Sequence, residues 1–188
     1  TEVDTLSLHD ALPILNFGIA AEAAKAEGIA VEMVVVGEDV ALTDPGLAGR
    51  RGLAGVCFVE KVAGALAESG ASLREVAEAA RRVAGQLGTM GAALSVCNVP
   101  GQQASERLEP GQMELGLGIH GEPGAEKRPA APARDVVRTV LERVAAPHLC
   151  GGGAATFWQF REGDGVALMV NNLGGATEIE LSVLAREA

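Results

Sequence analysis

One of the three histidines in this 188-residue chain stands among glycines, in Gly116-Leu117-Gly118-Ile119-His120-Gly121-Glu122-Pro123-Gly124. An unperturbed histidine titrates at about 6.5, so its neutral imidazole is available as a nucleophile or base near pH 7. Such a ring can add to a carbonyl or take a proton from a hydroxyl. Glycine close by on either side, at Gly118 and Gly121, removes Cβ bulk that would hold a substrate away from the ring. Two readings stand side by side. His120 is a catalytic imidazole approached through that gap, or it is a strand-end histidine bonded to a backbone carbonyl, with Pro123 and Gly124 simply making a turn.

The other constellations are weaker. Asn171-Asn172-Leu173-Gly174-Gly175 follows an apolar run, where open α/β sheets bind ligands. Its amides could line a small polar site, and the same residues suit a strand-to-helix turn. Gly151-Gly152-Gly153 lacks the Gly-Lys-Ser/Thr ending of a phosphate loop and reads as a linker. Glu38 and Asp39 are adjacent acids after a β-branched run; they could bind a metal, but two such acids on a loop are expected to be solvated. Cys57, Cys97 and Cys150 form no Cys-x-x-Cys, and with His9 and His148 equally scattered no zinc pattern emerges. No metal site is expected. Cys57, within Val56-Cys57-Phe58-Val59, is expected to pack in the core.

Composition narrows the field. A formal net charge of −10, with basic residues clustered only as Arg50-Arg51 and Arg81-Arg82, argues against a nucleic-acid surface. Sparse, odd cysteines fit a reducing compartment, and a cytoplasmic location is expected. No stretch is long and apolar enough for a membrane span. Aromatics make up 3% of residues and tyrosine is absent, so the core must be built from Ala, Val, Leu and Ile.

The elements that would position these residues alternate. Asn16 is placed to cap a helix over 17–27, stopped by Gly28. The β-branched run at 29–36 reads as a strand buried on both faces. Residues 53–67 read as a buried helix. Ser72-Leu73-Arg74-Glu75 is a capping box, opening a helix whose stripe is Val76, Ala79, Ala80, Val83 and Leu87 and whose stop is Gly88. A strand is expected over 92–99 and a loop over 100–111. Residues 113–120 alternate, with Met113, Leu115, Leu117 and Ile119 on one face. Glu114, Gly116, Gly118 and His120 share the less apolar face. Pro132 suits the first turn of a helix over 134–146, with Val136, Val137, Val140, Leu141 and Val144 on its stripe. A strand at 166–170 precedes a second capping box, Thr177-Glu178-Ile179-Glu180, and a last helix. The class is α/β.

On these segments the chain resembles the dihydroxyacetone (glycerone) kinase family. The resemblance rests on Leu15-Asn16-Phe17-Gly18, Val31 through Asp39, Gly49-Arg50-Arg51-Gly52-Leu53-Ala54-Gly55 and Lys61-Val62-Ala63-Gly64-Ala65. It continues through Leu87-Gly88-Thr89-Met90-Gly91, Ala93-Leu94-Ser95, Glu114 through Gly124, and Val170-Asn171-Asn172-Leu173-Gly174-Gly175. It implies the end of one α/β subdomain at 15–88, followed by most of a second at 89–188 that carries His120, the chain being truncated at both ends. Residues 1–14 do not fit the family and are expected to be foreign sequence.

The resemblance further implies that His120 captures a ketose carbonyl as a covalent hemiaminal, with Gly118 and Gly121 beside the substrate. A terminal hydroxyl is then phosphorylated. ATP and Mg2+ are implied on a separate helical domain or subunit, which accounts for the missing phosphate loop. The expected partners are dihydroxyacetone or a similar short-chain ketose or aldose, that helical domain or subunit, and a second copy in a homodimer. The family's Gly-Ser-Gly-His loop would lie upstream, and the positions of a family Lys and Asp are taken by Leu8 and Pro13. The chain alone is therefore expected to be inactive. Two alternatives go with the resemblance: a non-catalytic ketose-binding or regulatory module, and a bifunctional triokinase/FMN cyclase.

Overall fold

The computed structural model describes residues 8–42, 49–95, 101, 107–119, 122–146 and 161–188. The described chain falls into two units, one holding 8–38 and 49–87, the other 39–42, 88–95, 101, 107–119, 122–146 and 161–188. Helices combine with a small sheet, and the class is α/β.

The first unit contains helices α1 (Leu8–Ala26), α2 (Val56–Glu68) and α3 (Leu73–Ala84). α1 starts well before the expected residue 17, so Asn16 is interior and caps nothing. The residues ahead of it include Leu8, Ala11 and Leu12, all strong helix formers. The helix ends as expected before Gly28, whose amide bonds back to Lys25 O at 3.0 Å.

Residues 29–36 correct the sequence reading. They form no ladder among the described residues, and Met33 and Val35 are 43% and 54% exposed. β-branched composition suits a pleated, half-buried surface, but a strand exists only where another strand pairs with it.

α2 is also less buried than its composition suggests. It begins at Val56, not 53, and Val59 is its buried residue. One face packs on α3 and the other meets solvent, which leaves Cys57 exposed instead of in the core. α3 opens on the expected capping box. Ser72 N and Oγ donate to Glu75 Oε2 at 2.8 and 2.6 Å, and Glu75 N donates to Ser72 Oγ at 3.4 Å. Its buried face is Ala77, Ala79 and Ala80, small enough to let α2 approach closely. Val76 and Val83 are half-buried at its margin. Arg74 and Arg81 lie on the solvent side, paired with Glu78 and Glu32. The stop is Gly85, not Gly88.

The second unit is built on an antiparallel sheet of β1 (Ala92–Ala93), β2 (Gln112–Leu115) and β3 (Glu126–Pro129), in the order β1-β2-β3. Ala92 faces Leu115, and Met113 faces Arg128. β1 is shorter than the expected 92–99, of which 96–99 lie outside the described residues. Asp39 forms a parallel bridge with Thr89, and Val40 N donates to Thr89 O at 2.9 Å. Val40, Ala41, Met113, Leu115 and Val137 are buried.

Helix α4 (Ala133–Ala145) starts after Pro132 and buries Val137, with Val136, Val140, Leu141 and Val144 half-buried along the expected stripe. It packs on α5 (Glu178–Glu187), and Arg134 Nε meets Glu187 Oε2 at 2.9 Å. α5 opens on the second expected capping box, between Thr177 and Glu180. Residues 166–170 form no strand among the described residues, and Val166 is 63% exposed. The reason is the same as for 29–36.

Hydrogen bonds from the Ser72 side chain, then from its backbone, hold the Glu75 carboxyl below the ordinary glutamate range. A lowered folded-state pKa contributes stability above the unfolded value of about 4.3 and loses it as pH falls through the folded value. Glu75→Gln is therefore expected to melt lower than the parent at pH 7. The gap should narrow as pH falls below about 4.3, measured by thermal melts across that range. A gap that stays constant with pH would refute this role for Glu75.

Candidate functional site

β2 runs straight into the glycine-rich segment, so the site begins in the core. Met113 and Leu115 are 1% and 0% exposed, and Glu114 on the opposite face is 0% exposed as well. The less apolar face of this strand is thus buried too. A carboxylate taken out of water must meet donors. Glu114 Oε1 accepts from Gly124 N at 2.8 Å, and Oε2 accepts from Arg107 at 2.8 Å. Lys127 Nζ donates to Arg107 O at 2.8 Å, tying the arginine's backbone to β3.

The strand alternation stops at Gly116, where φ is +73°. A Cβ there would run into the Cβ of Ala41. Gly116 N donates to Gly91 O at 2.7 Å, which anchors the turn. Beyond it, Gly118 is buried and its N–H donates to Glu122 O at 3.3 Å, while Ile119 is exposed. At the far end a Cβ on Gly124 would lie 2.5 Å from both Leu115 O and Glu114 Cγ. Sequence therefore places His120 between two flanks that are each hydrogen-bonded. His120 and Gly121 themselves lie outside the described residues, as do Gly151-Gly152-Gly153, His148, Cys97 and Cys150. His9 falls on α1, as do Leu8 and Pro13.

Glu38 and Asp39 are the main surprise. They are 0% and 1% exposed, not solvated. Glu38 Oε1 accepts from Leu53 N at 2.7 Å and Gly55 N at 2.8 Å, and Arg50 donates to Glu38 O at 3.1 Å. Asp39 Oδ1 accepts from Ala41 N at 2.9 Å. The signal for this was the Gly52-Leu53-Ala54-Gly55 turn, whose amides stand ahead of α2 and require acceptors. Asn172 takes the turn reading: Oδ1 accepts from Gly174 N at 2.8 Å and Nδ2 donates to Ala176 O at 2.9 Å.

The Dak1 domain profile matches residues 13–188. A tomato (Solanum lycopersicum) protein named as a 3,4-dihydroxy-2-butanone kinase is 51% identical over 175 residues, covering 93% of this chain and 28% of the relative. Human triokinase/FMN cyclase is 46% identical over 171 residues, covering 91% of this chain and 29% of that protein. A crystal structure of the Citrobacter freundii dihydroxyacetone kinase in complex with AMP-PNP and Mg2+ superposes with a TM-score of 0.79 at 38% identity, over 92% of this chain and 30% of that one. The chain belongs to the Dak1 domain family. It spans less than a third of the length of these relatives.

The glycine geometry can be tested directly. Gly116→Ala forces a left-handed backbone and a clash with Ala41, and is expected to cost roughly 1–3 kcal/mol. Gly64→Ala, in α2 with open space around it, is expected to gain about 0.5–1 kcal/mol. Urea unfolding of both variants measures the difference. Equal stability of the two would refute the constraint at Gly116.

Proposed function

We propose that this chain is the ketose-binding part of an ATP-dependent dihydroxyacetone (glycerone) kinase, with residues 15–88 and 89–188 as its two subdomains. The observation that carries the reading is the Dak1 match across residues 13–188, which includes the glycine-rich segment around His120. The described flanks of that segment are held by Gly91 and Glu114. His120 is the anchor, with Gly118 and Gly121 beside it. Its neutral ring nitrogen adds to the ketose carbonyl carbon. The carbonyl oxygen becomes a hydroxyl and the ring gives up one proton, so atoms balance and no water leaves. A short ketone offers few contacts, and noncovalent binding discriminates poorly between it and a polyol. A bond that requires a carbonyl rejects the polyol outright, and it also holds the terminal hydroxyl in place for transfer.

The donor chemistry belongs elsewhere in this reading. Among the described residues no three His, Cys, Asp or Glu side chains come together as a metal site. The buried carboxylates of Glu38, Asp39 and Glu114 accept from backbone amides or from an arginine. The described residues do not fit nucleotide-bound magnesium. ATP and Mg2+ would sit on a separate helical domain or subunit, as the resemblance implies. A bifunctional triokinase/FMN cyclase is the second reading. It is favoured by 46% identity to the human protein of that name, against 38% to the bacterial kinase.

Incubation with dihydroxyacetone is expected to raise the intact mass by one whole ketose, and glycerol should give no adduct. His120→Ala should abolish the increase. An adduct that survives this substitution would remove His120 from the reading, and no adduct on the parent would refute capture by this chain. With ATP and Mg2+ but no added subunit, the chain is expected to produce no phosphorylated ketose. A coupled assay that detects turnover would refute the separate donor site.

A further inference from the structure

We propose that Glu114 is the positioning residue of the His120 segment. The inference rests on the capture reading above for its consequence, but on the described geometry for its cause. Glu114 belongs to β2, the strand that launches the segment, and its carboxylate reaches across to where the segment ends. One oxygen holds Gly124 N and the other holds Arg107, both at 2.8 Å. The segment from Gly116 to Gly124 connects β2 to β3, whose ladder sets Leu115 opposite Glu126, and the Glu114 side chain, itself 0% exposed, adds a tie from that ladder to the far end of the segment. Gly124 can come this close because it lacks a Cβ, which would fall 2.5 Å from Glu114 Cγ.

A carboxylate is the group this junction needs. It presents two acceptor oxygens and no donor. Glutamine has the same length but only one oxygen, so it can satisfy Gly124 or Arg107 and must turn an NH2 toward the other donor. Aspartate keeps both acceptors but is one methylene shorter, so it cannot span the same two partners without movement. Glu114 acts here as a positioning residue, not a catalytic one. Its oxygens are committed to a backbone amide and an arginine, and its effect on the ketose would come through where the segment is held.

The test compares the full chain with Glu114→Gln, Glu114→Asp and Arg107→Met. Three quantities are read: melting temperature, amide exchange across 116–124, and the dihydroxyacetone concentration giving half-maximal adduct. In folded Glu114→Gln, exchange at Gly118 and Gly124 is expected to quicken. Half-maximal adduct should need on the order of tenfold to a hundredfold more ketose, as for a misplaced reacting group. Exchange in α3 should not change. Arg107→Met should show the same effects more weakly, and it carries the test if Glu114→Gln does not fold. Glu114→Asp should fall between parent and Gln.

A folded Gln or Met variant with parental exchange and parental capture would overturn the proposal. So would a lowered melting temperature with unchanged capture by the folded protein, which is what a purely structural ion pair would give. Absence of an adduct on the parent would refute the capture reading alone. Amide exchange would then decide on Glu114: a loosened 116–124 segment in Glu114→Gln supports the tie, and unchanged exchange refutes it.

Discussion

A carboxylate removed from water must be met by donors, and much of the local architecture follows from where this chain buries its acids. In the first unit Glu38 gathers the amides of Leu53 and Gly55, which fixes the turn leading into α2. At the start of the second, Asp39 accepts from Ala41 N beside the bridge to Thr89. Ala41 in turn is the residue against which Gly116 must remain a glycine. Glu114 then ties down the far end of the segment that Gly116 opens. Acid, turn and glycine are therefore linked parts. Where the donating amide belongs to Gly55 or Gly124, the backbone that brings it comes too close to the acid for a Cβ.

Features set by neighbouring residues were legible in the sequence. Both capping boxes depend on side chains three residues apart, and both form between the residues that spell them. The stripes of α3 and α4 follow the 3.6-residue period, with Ala79, Ala80 and Val137 on the buried side. What depends on distant partners was not legible. The runs at 29–36 and 166–170 have strand composition, but no ladder pairs them among the described residues. The apolar composition of α2 suggested burial all round, whereas one face meets α3 and Cys57 faces water.

The candidate site divides the same way. The glycine-rich segment around His120 stood out by residue type alone, and its flanks are ordered by hydrogen bonds that no periodicity announces. The acids were misjudged. Glu38 and Asp39 look like a solvated pair because adjacent acids usually are, and Glu114 looks like the polar half of an alternating strand. Glu38 and Glu114 are met by Leu53, Gly55, Arg107 and Gly124, all ten or more residues away except Arg107 at seven, whereas Asp39 is met by Ala41, two residues on, beside its bridge to Thr89. Asn172 was readable either way, and its bonds to Gly174 and Ala176 are those of a turn.

β3 has a further consequence for how copies of this chain behave toward one another. Among the described residues it is an outer strand of the sheet, so its far side offers backbone donors and acceptors to any extended segment that comes alongside. The strand is only Glu126-Lys127-Arg128-Pro129. Three charged side chains in a row make an approaching apolar strand shed water at a cost, and the proline has no N–H to lend to a new ladder. The open edge of this sheet is a poor template, and four consecutive residues protect it from growing by recruitment of a second chain.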